Sequence, residues 1–246
     1  MRIGVLSDIH ANRPALDAVL SALQAVGVDR ILCCGDIVGC GLWPAETVDR
    51  LRQEKIVSVR GNHDDAVLHL SRYRSPGHEE DLRMLSWTAE QLTADQHTYL
   101  ASLPERREED PFTLAHGSLR PSCELVEFVL GAEEAEESFA VLGTWIGLVG
   151  HAHVQALYEA RGDGCTRSLP LDEGSISLDP RAQYLINPGS VGMPRDAEPS
   201  AAFAWLDLDE KTLTFTRATY DPAPAAEAIQ GLGSDGLCRS APLEHA

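Results

Sequence analysis

Five short apolar runs, each passing at its carboxyl end into a carboxylate, an imidazole or a carboxamide, constrain this chain more than any other feature. Residues 3–6 lead into Asp8-Ile9-His10, residues 31–34 into Gly35-Asp36, and residues 56–59 into Gly61-Asn62-His63-Asp64. Residues 112–115 end at His116-Gly117-Ser118, and residues 146–149 at Gly150-His151-Ala152-His153. Runs of this length and composition read as buried strands. In an α/β sheet the strand ends converge on one crevice, where ligands bind. The chain must therefore fold so that five separate segments deliver polar groups to one place.

The connections support that arrangement. Asn12 can cap a helix with Pro14 in its first turn, and Leu16, Val19, Leu20 and Leu23 fall on one face of it. A second helix is predicted over 45–54. Strand and helix alternate through the first sixty residues, which implies parallel strands with helices packed outside. Residues 64 to about 105 read instead as two or three helices. Leu82, Leu85, Ala89 and Leu92 form an apolar stripe there, and Thr93 with Gln96 forms a capping box before a helix that stops at Pro104. A helical stretch near 132–142 carries Glu133, Glu134, Glu136 and Glu137 as a solvated face. After residue 153 the pattern is mainly β, with strands over 183–186, 202–206 and 213–218. Turns are predicted at Gly162-Asp163-Gly164 and Asn187-Pro188-Gly189. The expectation is a single α/β domain over residues 1–230, with two sheets, helices on the outer faces and a helical insertion at about 65–105. Residues 231–246, rich in Gly, Ser, Ala and Pro, are expected to form a mobile tail.

The ligand candidates offer oxygen and nitrogen without a thiolate. Such a set suits Mn, Fe, Zn or Ni as divalent ions. It is too large for one tetrahedral zinc but fits two ions with a shared carboxylate, held about 3.5–4 Å apart. Taken singly, each motif has a plainer reading: Asp8-Ile9-His10 as a strand-end turn, Asn62-His63-Asp64 as a helix start, His151 and His153 as a surface pair. Their joint occurrence, with Gly-Asp and His-Gly between them, favours a metal site. His69, His78, His97 and His245 lie in helical or tail segments and read as surface or packing residues.

Charge narrows the partners. The chain has 20 basic and 38 acidic residues, a formal charge of −18. Long nucleic acid is disfavoured, because Lys and Arg must neutralise its phosphates. An anionic membrane surface is disfavoured for the same reason. A small anionic substrate remains compatible if bound divalent metals make the site itself positive. No apolar run approaches a membrane span, and the first residues lack the pattern of a signal peptide. The cysteines at 33, 34, 40, 123, 165 and 238 form no CxxC pair. A cytoplasmic, reduced protein is expected.

Asp8-x-His10, Gly35-Asp36, Gly61-Asn62-His63-Asp64, His116 and Gly150-His151-x-His153 resemble the ordered signature of the calcineurin-like metallophosphoesterase superfamily. The resemblance spans roughly residues 1–220. Segment 87–104 and the run Ile-Asn-Pro-Gly-Ser-Val-Gly at 186–192 resemble a bacterial branch of small predicted phosphoesterases. The resemblance implies a four-layer αββα sandwich, with two facing mixed sheets flanked by helices. It implies that Asp8, His10 and His153 hold one metal and that Asn62, His116 and His151 hold the other, with Asp36 bridging. A hydroxide between the ions would attack phosphorus. His63 matches the family histidine that stabilises the phosphoryl group or protonates the leaving oxygen. Asp64 either orients His63 or stands exposed at a helix N-terminus. Arg195 either reaches a substrate phosphate or pairs with Asp196 or Glu198. Arg72, Tyr73 and Arg74 belong to a lid or to an exposed basic loop.

The implied activity is hydrolysis of a small phosphate ester, a phosphodiester before a phosphomonoester. A non-catalytic protein-interaction scaffold is the reading from another class, and the oligomeric state stays open. After Asp36 the chain lacks the Asp-Arg-Gly of the Ser/Thr protein phosphatases, and it has no tyrosine three residues on, as purple acid phosphatases do. Cys40 stands where the related branch often carries tyrosine, and it reads as a buried, inert thiol.

Overall fold

The computed structural model describes residues 1–73, 79–122, 124–162, 165–171, 174–196 and 200–223. Chain order begins with β1 (Arg2–Leu6), α1 (Arg13–Val26), β2 (Arg30–Cys33), α2 (Pro44–Gln53) and β3 (Val57–Ser58). Then follow α3 (Asn62–Leu68), α4 (Glu79–Gln91), α5 (Ala94–Ser102), β4 (Arg106–Glu109), β5 (Phe112–Ala115), α6 (Ala132–Phe139) and β6 (Ile146–Leu148). The remaining strands are β7 (Gln155–Ala160), β8 (Thr166–Ser168), β9 (Ser175–Ser177), β10 (Gln183–Pro188), β11 (Ala201–Asp207) and β12 (Thr212–Ala218).

The strands form two six-stranded mixed sheets, in the orders β3-β2-β1-β11-β12-β9 and β4-β5-β6-β10-β7-β8. In the first, β1, β2 and β3 run parallel while β11, β12 and β9 pair antiparallel. In the second, β5, β6 and β10 are parallel, with β4, β7 and β8 antiparallel.

The period-2 alternation of strand side chains explains the layers. Ile3 and Val5 of β1, Leu32 of β2 and Leu206 of β11 meet Leu114 of β5, Leu148 of β6 and Ile186 of β10 between the sheets. The alternate residues point outward: Leu6 and Phe203 pack on Leu16, Val19 and Leu23 of α1. On the far side, Leu185 of β10 packs with Ala135 of α6. The result is the expected αββα sandwich.

Local chemistry fixes several boundaries. Asn12 Oδ1 accepts the Ala15 N–H at 3.2 Å and starts α1. Thr93 and Gln96 make the predicted capping box of α5. Other boundaries differ from expectation. The strand over 56–59 contracts to β3, and Asn187 and Pro188 belong to β10, so the chain reverses only at Gly189. Strand β4, Arg-Arg-Glu-Glu, carries no apolar signal; it forms a charged edge on β5, where charge discourages further pairing. The expected tail 231–246, Asp163-Gly164 of the predicted turn, Arg74, His78, Glu198, His245, Cys123 and Cys238 lie outside the described residues. No helix of the described residues is long and apolar enough to cross a membrane.

Candidate metal centre

The loops after β1 and β2 lock together before any side chain is considered. Asp8 N–H donates to the Gly35 carbonyl at 3.0 Å, and His10 N–H to the Asp36 carbonyl at 2.9 Å. Among the described residues nine non-glycines have positive φ, and five are Asp8 (53°), His10 (49°), Asp36 (52°), His151 (64°) and His153 (61°). The left-handed region costs a non-glycine about 1–2 kcal/mol. Such strain persists only where surrounding structure imposes it, and it clusters at functional sites. Two glycines make the approach possible. A Cβ on Gly61 would collide with the Asp36 carboxylate, and one on Gly150 with Ser7 Oγ.

The side chains form two adjoining groups. Ligand atoms of Asp8, His10 and His153 lie within 4.8 Å of one another, as do those of Asp36, His116 and His151. Asn62 joins the second group, its Oδ1 2.9 Å from His116 Nε2. Asp36 Oδ2 lies between the groups, 3.6 Å from His10 Nε2 and 3.3 Å from His116 Nε2. His153 Nε2 is 3.2 Å from Asp8 Oδ1 and 3.1 Å from His10 Nε2. All seven residues predicted as ligands are thus brought together.

The electrostatics call for a cation. Asp8 Oδ1 and Asp36 Oδ2 are buried and have no hydrogen-bond partner, an expensive state for carboxylate oxygens. Burial opposes their charge, yet His153 holds the Asp8 carboxyl, and His116 the Asp36 carboxyl, below the ordinary range. Burial likewise opposes charge on His116, but Asp36 and Asp8 raise it to about 9. Burial and the neighbouring His116 lower His151 to about 4. Buried carboxylates facing imidazole nitrogens fit divalent metal ions.

Surrounding groups aim the ligands. His116 Nδ1 donates to the Cys34 carbonyl at 2.8 Å, and His153 Nδ1 to the Met193 carbonyl at 2.6 Å. A carbonyl only accepts, so each Nδ1 carries the proton and Nε2 turns to the cluster. Ser190 Oγ donates to the Asp8 carbonyl at 2.8 Å, and Asn187 Nδ2 to the Gly150 carbonyl at 2.7 Å. Phe128 stacks on His151, with centroids 3.9 Å apart and planes 18° from parallel. Sequence reasoning marked the 186–192 run without giving it this task. It missed Phe128 altogether, because a lone aromatic in a loop carries no periodic signal.

The remaining candidates divide. His63 N–H donates to Asp36 Oδ1 at 2.8 Å, and the His63 ring meets His10 edge-on at 4.8 Å. Asp64 departs from both expectations. It is fully buried, and its oxygens accept the N–H groups of Ile37 (2.9 Å), Val38 (3.0 Å) and Gly61 (2.9 Å) rather than touching the His63 ring. Burial and the Asp36 charge raise Asp64 to about 7. It ties the Asp36 loop to the start of α3.

Arg195 is exposed; its N–H donates to the His153 carbonyl at 3.2 Å, and its guanidinium makes no ion pair among the described residues. Asp196 pairs with Arg217 instead. Cys40 is half-buried rather than buried. The Tyr73 hydroxyl donates to Asp65 at 3.0 Å, which fastens it to α3, whereas Arg72 is exposed. His69 and His97 make local contacts, with Asp65 and the Ala89 carbonyl, away from the cluster.

Over residues 1–211 the sequence matches the calcineurin-like phosphoesterase superfamily domain. It is 35% identical over 237 residues to an uncharacterized protein of Methanocaldococcus jannaschii, covering 92% of this chain and 91% of that one. Among solved structures, a metallophosphoesterase from Sphaerobacter thermophilus is similar at 36% identity, with 95% of each chain covered and a TM-score of 0.80. A hypothetical protein from Pyrococcus horikoshii shares the fold, with a TM-score of 0.76 at 20% identity over 94% of this chain and 93% of that one.

Proposed function

The chain belongs to the calcineurin-like phosphoesterase superfamily, and from that premise we propose that it hydrolyses a small phosphodiester at a centre of two divalent ions. The observation that carries this reading is the position of Asp36 Oδ2, buried without a hydrogen-bond partner, 3.6 Å from His10 Nε2 and 3.3 Å from His116 Nε2. Asp8, His10 and His153 would hold one ion, and Asn62, His116 and His151 the other, with Asp36 shared. Mn, Fe, Zn and Ni all suit these oxygen and nitrogen donors. When bound, the ions supply positive charge to the phosphoryl oxygens and acidify the attacking water.

The chain's own groups do the rest. Cys34 and Met193 carbonyls fix the tautomers of His116 and His153. Asp64 fixes the loop that presents Asp36. His63, at the edge of the first group, donates a proton to the leaving oxygen or a hydrogen bond to the phosphoryl group. A diester is preferred on charge. A monoester dianion needs more fixed cations than a diester monoanion, and the residues after Asp36 provide no arginine. Arg60 is held by Asp65 and Glu105, and Arg217 by Asp196, which leaves Arg195, exposed beside His153, to meet the single negative charge of a diester.

Metal content per purified chain tests the centre, and turnover of bis-p-nitrophenyl phosphate against p-nitrophenyl phosphate with added Mn²⁺ tests the substrate class. Two metals and a higher kcat/KM for the diester are expected, with activity lost to a chelator and restored by Mn²⁺. A chain that takes up no metal would overturn the site. Two metals without turnover of either ester would turn the reading to a non-catalytic scaffold.

A further inference from the structure

Beside the two groups lies a third that shares His10 and His63 with the proposed hydrolysis and adds Cys40, which that reaction does not use. Ligand atoms of His10, Cys40 and His63 lie within 4.8 Å of one another. His10, 1% exposed, keeps a buried Nδ1 without a hydrogen-bond partner, unlike His116 and His153, and His63 Nδ1 is buried and unpartnered as well. The loop that carries Cys40 is fixed against this pair. A Cβ on Gly39 would stand 2.7 Å from His63 Nδ1, and the Gly39 carbonyl accepts the Thr88 hydroxyl of α4 at 2.9 Å.

We propose that His10, Cys40 and His63 form an adjoining, inhibitory binding site, sharing His10 with the first group, for a thiophilic cation such as Zn²⁺ or Cd²⁺. The donor chemistry differs from that of the two adjoining groups. One sulfur with two imidazole nitrogens selects soft and borderline metals over Mn²⁺. Cys40 loses its thiol proton on binding. His10 faces Asp8 and Asp36 with Nε2 and closes the new site with its unpartnered Nδ1; with both nitrogens ligated the ring is an imidazolate, its N–H proton passing to solvent with that of Cys40. Occupancy fixes the His63 ring to the metal and withdraws its nitrogen from substrate. That inhibitory consequence rests on the role given to His63 above, whereas the binding does not.

The test uses the full chain, loaded with Mn²⁺, in a background where Cys123, Cys165 and Cys238 are serine. Cd²⁺ is titrated while the ultraviolet sulfur-to-cadmium charge-transfer band and diester turnover are followed together. The band is expected to saturate at one Cd²⁺ per chain as turnover falls. Cys40→Ser should abolish the band, keep basal turnover, and raise the half-inhibiting Cd²⁺ concentration by at least about tenfold, since removing a ligand should cost no less than removing a ligand's supporting partner. His63→Ala should weaken the band by a similar factor. Absence of the band at stoichiometric Cd²⁺, or its survival in Cys40→Ser, overturns the site. A band without inhibition, or equal inhibition of wild type and Cys40→Ser, overturns the inhibitory role. The band is read whether or not the protein turns over an ester, so failure of the site is distinct from failure of the phosphoesterase reading.

Discussion

His63 and Asp64 are adjacent in sequence and have opposite fates, which makes them a paired test of the centre. The His63 ring has no described carboxylate to hold it, and its backbone N–H holds Asp36. His63→Ala keeps that backbone bond. It should bind two metals and lose about 10²–10⁴ in turnover, the usual contribution of a general acid or base. Asp64→Ala should do the reverse. It strips the acceptor from three buried N–H groups, at roughly 1–3 kcal/mol for each donor left unsatisfied. Lower stability in urea and lower metal content are expected together. A His63→Ala protein that lost its metals would make His63 a ligand or a structural residue, and a metal-replete, stable Asp64→Ala would remove Asp64 from the support of the Asp36 loop. The seven ligand candidates were legible in sequence because each lies within four residues of the end of an apolar run. Asp64 was not, because its partners at Ile37 and Val38 lie 27 and 26 residues earlier, and no local pattern announces such a pairing.

Elements bring the same lesson at longer range. Strands β1, β2, β5, β6 and β10 were readable because they are buried and apolar. Strands β8 and β9 were not, since Thr-Arg-Ser and Ser-Ile-Ser are largely exposed and take their places through pairing with β7 and β12. The loop after His116 was likewise opaque. Its backbone folds over Gly117, where the Gly117 N–H donates to the Glu124 carbonyl, and the chain then presents Phe128 to His151. Phe128 stacks on a residue of one candidate group only, so, if both groups hold metals as proposed, Phe128→Ala should weaken the two sites unequally. Metal titration of the apo protein should show a loss of about 10–100-fold at the Asn62–His116–His151 site, the usual cost of removing a ligand's supporting partner. The Asp8–His10–His153 site, held by Ser190 and the Met193 carbonyl, should be little changed. Equal weakening of both sites would mean that the loop supports the whole centre.

At the scale of the molecule, the centre loaded with metals as proposed and the acidic chain around it would carry opposite signs. Composition made the formal charge of −18 plain. The antiparallel pairing of β1 with β11, which joins the chain's beginning to residues 201–207, was not readable, because register between distant strands has no local signature. The mismatch of sign has a kinetic consequence. Two divalent ions, bound as proposed, would attract a phosphate over a few ångströms, whereas the net negative charge of the chain repels it over a screening length of about 10 Å at 0.1 M salt. Added salt screens the long-range repulsion more than it weakens the short-range, partly buried attraction. Below substrate saturation, kcat/KM should therefore rise with potassium chloride at fixed Mn²⁺, by roughly two- to tenfold between low and physiological ionic strength. The rise should be steeper for the dianion p-nitrophenyl phosphate than for the monoanion bis-p-nitrophenyl phosphate, because the repulsion scales with substrate charge. A fall with salt for both substrates would mean that attraction by the centre governs the approach, and that the chain's net charge has no hold on which phosphate esters reach it.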